Sequence, residues 1–116
     1  ERAVSVDIPK VIRVLVNTIS NAIEAIPGEG DIWIRTAFFH ADAADFLKIS
    51  IEDSGVGIDE QHLERIFEPF FTTKTRGTGL GLAICRKIVD AHNGDMKIRS
   101  KPGEGTTAEI VLPVGT

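Results

Sequence analysis

The period of the hydrophobic pattern changes near residue 27, and this change limits the possible folds more than any other feature of the sequence. Up to position 26, apolar side chains recur at helical spacing, which predicts a long helix with Asp7 as its N-cap. Pro27 and Gly28 end this helix. Apolar and polar side chains then alternate in two segments, 31–39 and 46–53, which predicts two strands joined by the polar sequence HADAAD. The stripe that we expect the helix to bury consists of Ile8, Ile12, Leu15, Ile19, Ile23 and Ile26.

The second half of the chain adds elements of both kinds. The pattern predicts a short helix, an irregular stretch, a second long helix and two strands, at residues 59–67, 70–78, 79–92, 96–100 and 106–112. This order predicts an α+β fold, a two-layer sandwich in which helices pack on one face of a mixed, mainly antiparallel sheet. With 116 residues, the chain 1–116 is expected to form a single domain.

Charge and composition argue against several classes of function. The net charge is −4, without the basic excess typical of a nucleic-acid-binding domain, so we expect no nucleic-acid partner. No apolar run approaches the roughly 20 residues of a membrane-spanning helix, so we expect no membrane contact by this domain, although the full-length protein can be anchored through other segments. Cys85 is the single cysteine and cannot form an internal disulfide, which favours a reducing, cytoplasmic setting.

Two asparagines stand in the middle of the first helix. Asn17 and Asn21 are four residues apart and share one side of the helix, roughly opposite Ile19 and away from the expected buried stripe. Asparagine is a poor helix former, so two of them in mid-helix need an explanation. Either they are solvated polar residues, or their amide oxygens face a cleft and bind a hard cation, which prefers oxygen ligands.

A carboxylate follows the second predicted strand. The alternation of that strand places Asp53 on the same side as its apolar residues, where a carboxylate needs a hydrogen-bond donor. Gly55 and Gly57 allow the backbone to turn tightly beside it. Asp53 is therefore either an ordinary turn-capping residue or an acceptor at the bottom of a pocket, placed to bind a ligand amine such as the adenine amino group.

The run GTGLGL opens the second long helix. Its glycines, Gly77, Gly79 and Gly81, leave backbone N–H groups at a positive helix end, where phosphates can bind. The motif is weak by itself. It has neither the spacing of the dinucleotide-binding fingerprint nor the Lys-Ser/Thr pair of a P-loop.

Taken in chain order, these elements resemble one known family. They match the N, G1, F, G2 and G3 boxes in the ATP-binding catalytic domain of sensor histidine kinases, at Asn17/Asn21, Asp53-Gly55-Gly57, Phe67-Pro69-Phe70, Gly77-Gly79-Gly81 and Gly103-Gly105-Thr106. The resemblance covers residues 7–113 and implies the Bergerat fold of the GHKL superfamily. The segment FEPFFTTK and the short lid resemble the nitrogen-regulation class of these kinases most.

The resemblance implies that this domain binds ATP and Mg²⁺, with a role for each matched position. Asn21 would bind the metal, Asp53 the adenine and Lys74 or Arg76 the γ-phosphate, since Thr72 stands where many members have an arginine. Phe67 and Phe70 would anchor the lid. The resemblance implies that Asn17, Lys74 and Arg76 are catalytic residues. It also implies that the nucleotide is bound by Asn21, Asp53, Gly55, Gly57, Ile58, Phe67, Phe70, Thr73, Gly77, Thr78, Gly79, Leu80, Gly81, Leu82 and Thr106.

The residue at position 17 separates phosphate transfer from hydrolysis. Related ATPases carry a glutamate there that activates water, whereas the amide of Asn17 is no useful base, so the resemblance implies transfer. None of His40, His62 and His92 has the sequence context of a phosphoacceptor. The implied partners are a separate dimerisation and phosphoacceptor domain of the same kinase and, indirectly, a response regulator.

Other functions stay open at this point. The nucleotide fold is shared with serine kinases of the anti-sigma-factor type and with ATPases. A degenerate module could sense ATP without passing its phosphate on, and a protein-interaction domain would bind no nucleotide. Identifying the side chain that receives phosphate would separate the kinases, and binding without transfer would indicate the sensing module.

Overall fold

The computed structural model describes residues 4–71 and 81–114 of the chain. The helices and strands in these ranges are α1 (Ile8–Glu24), β1 (Ile32–Ala41), β2 (Ala44–Asp53), α2 (Glu60–Leu63), α3 (Gly81–Ala91), β3 (Asp95–Ser100) and β4 (Thr106–Pro113). The strands form one sheet in the order β1-β2-β4-β3, and each of its three pairings is antiparallel. The predicted α+β sandwich is confirmed.

Helices α1 and α3 cover the same face of the sheet. Alternate residues of β2 and β4 point toward them, because side chains of a strand alternate between its two faces. The buried core that results consists of Val14, Ala22, Ile49, Ile51, Cys85, Ile88, Val89, Met96, Ile110 and Leu112. None of the described helices combines the length and the apolar character needed to cross a membrane.

The buried face of α1 differs from the predicted one. The helix buries Val14, Thr18 and Ala22. Three residues of the predicted stripe are exposed, at 65% for Ile8, 52% for Ile12 and 58% for Ile23. The prediction was wrong because apolar residues occupy more than half of the circumference of α1, so the largest side chains did not reveal which side faces the sheet. Leu15, Ile19 and Ile26 are half-buried at the edge of the covered face.

A histidine connects the start of α1 to the end of α3. Asp7 caps α1 by accepting a hydrogen bond from the backbone of Lys10 at 3.3 Å. The backbone N–H of Asp7 donates to Nε2 of His92 at 2.9 Å, and Nδ1 of the same ring lies 2.8 Å from the carbonyl oxygen of Ile88. Since Nε2 accepts here, the ring proton is on Nδ1. His92 thus has a structural role, since both of its ring nitrogens contact backbone groups.

Two predicted boundaries differ in the structure. Strands β1 and β2 extend through most of the HADAAD segment, and only Asp42 and Ala43 form the turn. Both have positive φ angles, 50° and 62°, as a two-residue hairpin turn of the favoured type requires. Helix α2 is a single turn, capped by the side chain of Asp59, and turns follow it where the prediction continued the helix to residue 67.

Candidate functional site

Asp53 is the last residue of β2 and lies on the helix-covered side of the sheet, as the alternation predicted. Its side chain is buried, with 5% of the residue exposed, and Oδ1 accepts a hydrogen bond from the backbone N–H of Gly55 at 2.8 Å. Among the described residues, every fully buried side-chain nitrogen or oxygen has a hydrogen-bond partner. No described residue donates a hydrogen bond to Oδ2, so this oxygen keeps the lone pairs with which a carboxylate accepts hydrogen bonds.

The loop after β2 packs against the end of α1. The backbone N–H of Val56 donates to the carbonyl oxygen of Ala25 at 2.9 Å. A Cβ atom at Gly55 would lie 2.5 Å from that same oxygen, so the close approach requires glycine. The backbone N–H of Ala25 in turn donates to the carbonyl oxygen of Asn21 at 3.0 Å. Asn21 is thus one helical turn from the contact that holds the loop carrying Asp53.

The second glycine of the DSGVGI motif contacts the turn between β3 and β4. Gly57 has a φ angle of +77°, and a Cβ atom there would lie 2.0 Å from the carbonyl oxygen of Lys101. The backbone N–H of Gly103 donates to the carbonyl oxygen of Val56 at 2.8 Å. The structure therefore brings the first and last of the predicted glycine motifs together.

A serine that the sequence analysis missed joins these two loops. Oγ of Ser100 accepts a hydrogen bond from the backbone N–H of Ile58 at 2.7 Å and donates to the carbonyl oxygen of Gly105 at 2.9 Å. It also lies 2.8 Å from Oγ1 of Thr106. Thr106 pairs with Asp53 on one side and with Ser100 on the other. The alternation of β3, which places Ser100 on the same side as Met96, was a signal that could have found it.

Asn17 contacts α3 across the interface between the two long helices. Its Nδ2 donates to Sγ of Cys85 at 3.7 Å. Asn17 and Asn21 are half-buried at the flank of the buried face of α1, so the prediction that they lie on the side opposite the core was wrong. Burial raises the pKa of the Cys85 thiol, although the hydrogen bond from Asn17 and the charge of Arg13 act in the opposite direction.

The two aromatic residues assigned to the lid lie in different environments. Phe67 packs against the core, and the guanidinium carbon of Arg86 is 4.9 Å from the centre of its ring. Arg86 also donates from Nη1 to the carbonyl oxygen of Met96 at 2.8 Å. Phe70, in contrast, is 75% exposed and has a φ angle of 69°. Phe67 is thus held by the fold, whereas Phe70 lies on the surface.

The phosphate side of the predicted site is only partly described. Gly81 and Leu82 are the first two residues of α3 that the structure describes. Leu82 packs against the core, and a Cβ atom at Gly81 would meet nothing within 4 Å. The remaining predicted residues lie outside the described part of the chain; they are Thr73, Lys74, Arg76, Gly77, Thr78, Gly79 and Leu80.

Comparison with known proteins identifies the family. Residues 6–116 match the model described as "Histidine kinase-, DNA gyrase B-, and HSP90-like ATPase". Because this match covers almost the whole chain, the protein belongs to that family. The resemblance inferred from the sequence motifs is confirmed, whereas the narrower likeness to the nitrogen-regulation class stays a prediction.

Two curated relatives are a histidine-protein kinase and a sporulation kinase that are much longer than this chain. The signal transduction histidine-protein kinase AtoS of Escherichia coli (strain K12) is 47% identical over 102 residues, which are 88% of this chain and 16% of AtoS. Sporulation kinase E of Bacillus subtilis (strain 168) is 43% identical over 102 residues, 88% of this chain and 13% of that kinase. The chain thus spans less than a fifth of either relative.

Solved structures show the same fold. The catalytic domain of histidine kinase ThkA superposes with a TM-score of 0.81 at 40% identity, covering 95% of this chain and 70% of that one. Full-length ShkA, solved in complex with AMPPNP, has a TM-score of 0.83 at 26% identity and covers all of this chain but 24% of its own.

Proposed function

We propose that this domain binds Mg-ATP and donates the γ-phosphate to a histidine on a separate dimerisation and phosphoacceptor domain, in two-component signal transduction. The observation that carries the proposal is the geometry of Asp53. It places a carboxylate at a buried strand end with one oxygen bound to the backbone of Gly55, and its loop is fixed to the helix that carries Asn21. Family membership and the AMPPNP complex of ShkA support an adenine nucleotide as the ligand.

In this proposal Asp53 recognises the base. Its Oδ2 accepts a hydrogen bond from the adenine amino group, while Oδ1 stays bound to the backbone of Gly55. Gly57 and Ile58 line one side of the base, and Thr106 assists from the neighbouring strand. Ser100 keeps the loops of Ile58 and Thr106 at a fixed separation, because its hydroxyl is hydrogen-bonded to both.

At the phosphate end of the nucleotide, the amide oxygen of Asn21 would hold the Mg²⁺ ion. The described residues contain no group of three or more His, Cys, Asp or Glu side chains placed to hold a metal ion. A Mg²⁺ ion that arrives with a nucleotide needs only one or two protein ligands, and an amide oxygen is a suitable one. The backbone N–H groups at the start of α3 bind phosphate, and Lys74 and Arg76 supply positive charge.

The proposed chemistry is transfer to another domain rather than hydrolysis. Phosphoryl transfer depends mostly on positioning and electrostatic stabilisation, and the amide of Asn17 cannot take a proton from water. The three histidines of the chain already have contacts within it. His40 pairs with Asp45, His62 with Asp59, and His92 with the backbone. The phosphate acceptor is therefore assigned to a separate domain, from which a response regulator receives the phosphate.

The test combines binding with transfer. Calorimetric titration with Mg-ATP should show at least a tenfold loss of affinity in Asp53→Asn, and in Asn21→Ala a loss that depends on Mg²⁺. Asp45→Asn, a change of the same kind at an exposed carboxylate that contacts His40, should bind like the wild type. Phosphate should then appear on the histidine of a supplied acceptor domain.

Three results would contradict the proposal. Unchanged Mg-ATP affinity in both Asp53→Asn and Asn21→Ala would contradict the proposed nucleotide-binding site. Binding without transfer would favour the nucleotide-sensing module. Phosphate on a serine would favour the serine kinase.

A further inference from the structure

The contact between Asn17 and Cys85 joins two parts of the candidate site. Asn17 belongs to α1, four residues before the proposed metal ligand Asn21, and Cys85 belongs to α3, one turn after Gly81. Nδ2 of Asn17 donates to Sγ of Cys85 at 3.7 Å, within the range of hydrogen bonds to sulfur. We propose that Cys85 is a positioning residue, whose sulfur binds the amide nitrogen of Asn17 and thereby turns the amide oxygen toward the metal ion. This inference rests on the proposed function.

The amide of Asn17 needs a fixed orientation to serve at such a site. The two ends of an asparagine amide have almost the same shape, but one accepts hydrogen bonds and the other donates them. A rotation of 180° about the last side-chain bond would present the N–H₂ group to the cation and remove the oxygen ligand. One hydrogen bond at the nitrogen end is enough to favour the useful orientation roughly fivefold.

The surroundings of Cys85 favour the sulfur as acceptor in this contact. Sγ also lies 4.0 Å from the carbonyl oxygen of Val14, which can take only the thiol proton. With its proton directed to that carbonyl, the sulfur has lone pairs left for the N–H of Asn17. Cys85 is 0% exposed, so water does not compete for these positions.

The variants separate hydrogen bonding from packing. Cys85→Val fills the same core position with an apolar side chain and removes the acceptor, whereas Cys85→Ser keeps both an acceptor and a proton. Val89→Ala is the matched control, because Val89 is a core residue of the same helix with 2% exposure.

We expect Cys85→Val to lower kcat for phosphotransfer to a supplied acceptor domain about fivefold. The same variant should raise the Mg²⁺ concentration that gives a half-maximal rate, while KM for ATP changes less than twofold. Cys85→Ser should keep at least half of the wild-type kcat, and Val89→Ala should lower the melting temperature without either kinetic change.

A double-mutant cycle with Asn17→Ala gives the decisive comparison. If Cys85 acts through Asn17, Cys85→Val should change kcat less than 1.5-fold in the Asn17→Ala background. A fivefold loss that persists there, or a Cys85→Ser variant as slow as Cys85→Val, would overturn the inference. So would a wild-type rate in Cys85→Val. A wild-type chain that neither binds Mg-ATP nor transfers phosphate would instead contradict the proposed function, so the two failures can be told apart.

Discussion

The α-carbon of Gly105 lies against the carbonyl group of Asp53. A Cβ atom at position 105 would be 2.0 Å from that carbonyl oxygen, and the φ angle of Gly105 is +82°. The turn between β3 and β4 therefore packs directly on the strand end that carries the proposed adenine acceptor. Any side chain at position 105 would have to displace backbone atoms there, rather than a flexible side chain.

Gly105→Ala should therefore damage both the fold and the site. Gly103→Ala is a matched control, since Gly103 has a φ angle of +78° but a Cβ atom would meet nothing within 4 Å. The strained backbone alone costs about 1–2 kcal/mol in either variant. The close approach should cost Gly105→Ala at least about 2 kcal/mol more in urea unfolding, and Mg-ATP affinity should fall at least tenfold. Equal losses in the two variants would show that only the backbone conformation matters.

The revised buried face of α1 makes a direct prediction about stability. Val14→Ala removes atoms from the core and should lower the free energy of unfolding by about 2 kcal/mol. Ile12→Ala removes a larger but half-exposed side chain and should cost about 0.5 kcal/mol or less. The originally predicted stripe implies the reverse order. Chemical denaturation of the two variants distinguishes these orders.

The contact between His92 and Asp7 should contribute measurably to stability. His92→Ala removes the acceptor for the backbone N–H at the start of α1, so we expect a loss of about 1 kcal/mol. His40→Ala removes an exposed side-chain contact with Asp45 and should cost less than about 0.5 kcal/mol. Thermal unfolding of both variants measures the difference. Equal melting temperatures would mean that the bond to Asp7 adds nothing to stability.

Cys85 should make stability fall at alkaline pH. Burial raises the pKa of the Cys85 thiol in the folded chain, whereas the pKa of a thiol in the unfolded chain is about 8.5. Between these two pKa values the unfolded chain binds fewer protons than the folded one, so the free energy of unfolding decreases as pH rises. Below that window the contribution is fully present. The measurement is the difference in unfolding free energy between wild type and Cys85→Ser as a function of pH. This difference should be constant up to about pH 8 and shrink above about pH 8.5. A difference that stays constant to about pH 10 would contradict the prediction.

The strands were predictable from the sequence and the orientation of the first helix was not. In β2, alternation assigns each residue to one of two opposite faces, so the side of Asp53 followed directly from its position. In α1, successive side chains are distributed around the whole helix axis rather than between two opposite faces, and apolar residues occupy more than half of the circumference. Which of them is buried depends on where the sheet and α3 lie, and this is set by residues far along the chain.

Long-range hydrogen bonds account for the parts of the site that were missed. Ser100 bonds to a backbone group 42 residues earlier, and Asn17 meets a sulfur 68 residues later. No local pattern contains such pairs, because they arise only when loops and helices pack. The motif glycines were easier to find, since positive φ angles and close backbone contacts restrict those positions to glycine.

The two residues proposed to meet the adenine lie on the two inner strands of the sheet, where Asp53 is the last residue of β2 and Thr106 the first residue of β4. Each of these strands is paired on both sides, and such strands are among the last segments of a protein to open. The floor of the proposed adenine site is therefore preorganised before any nucleotide arrives, and little conformational entropy should be lost there on binding. Backbone amide hydrogens of these strand ends should accordingly exchange slowly with deuterium even in the ligand-free protein.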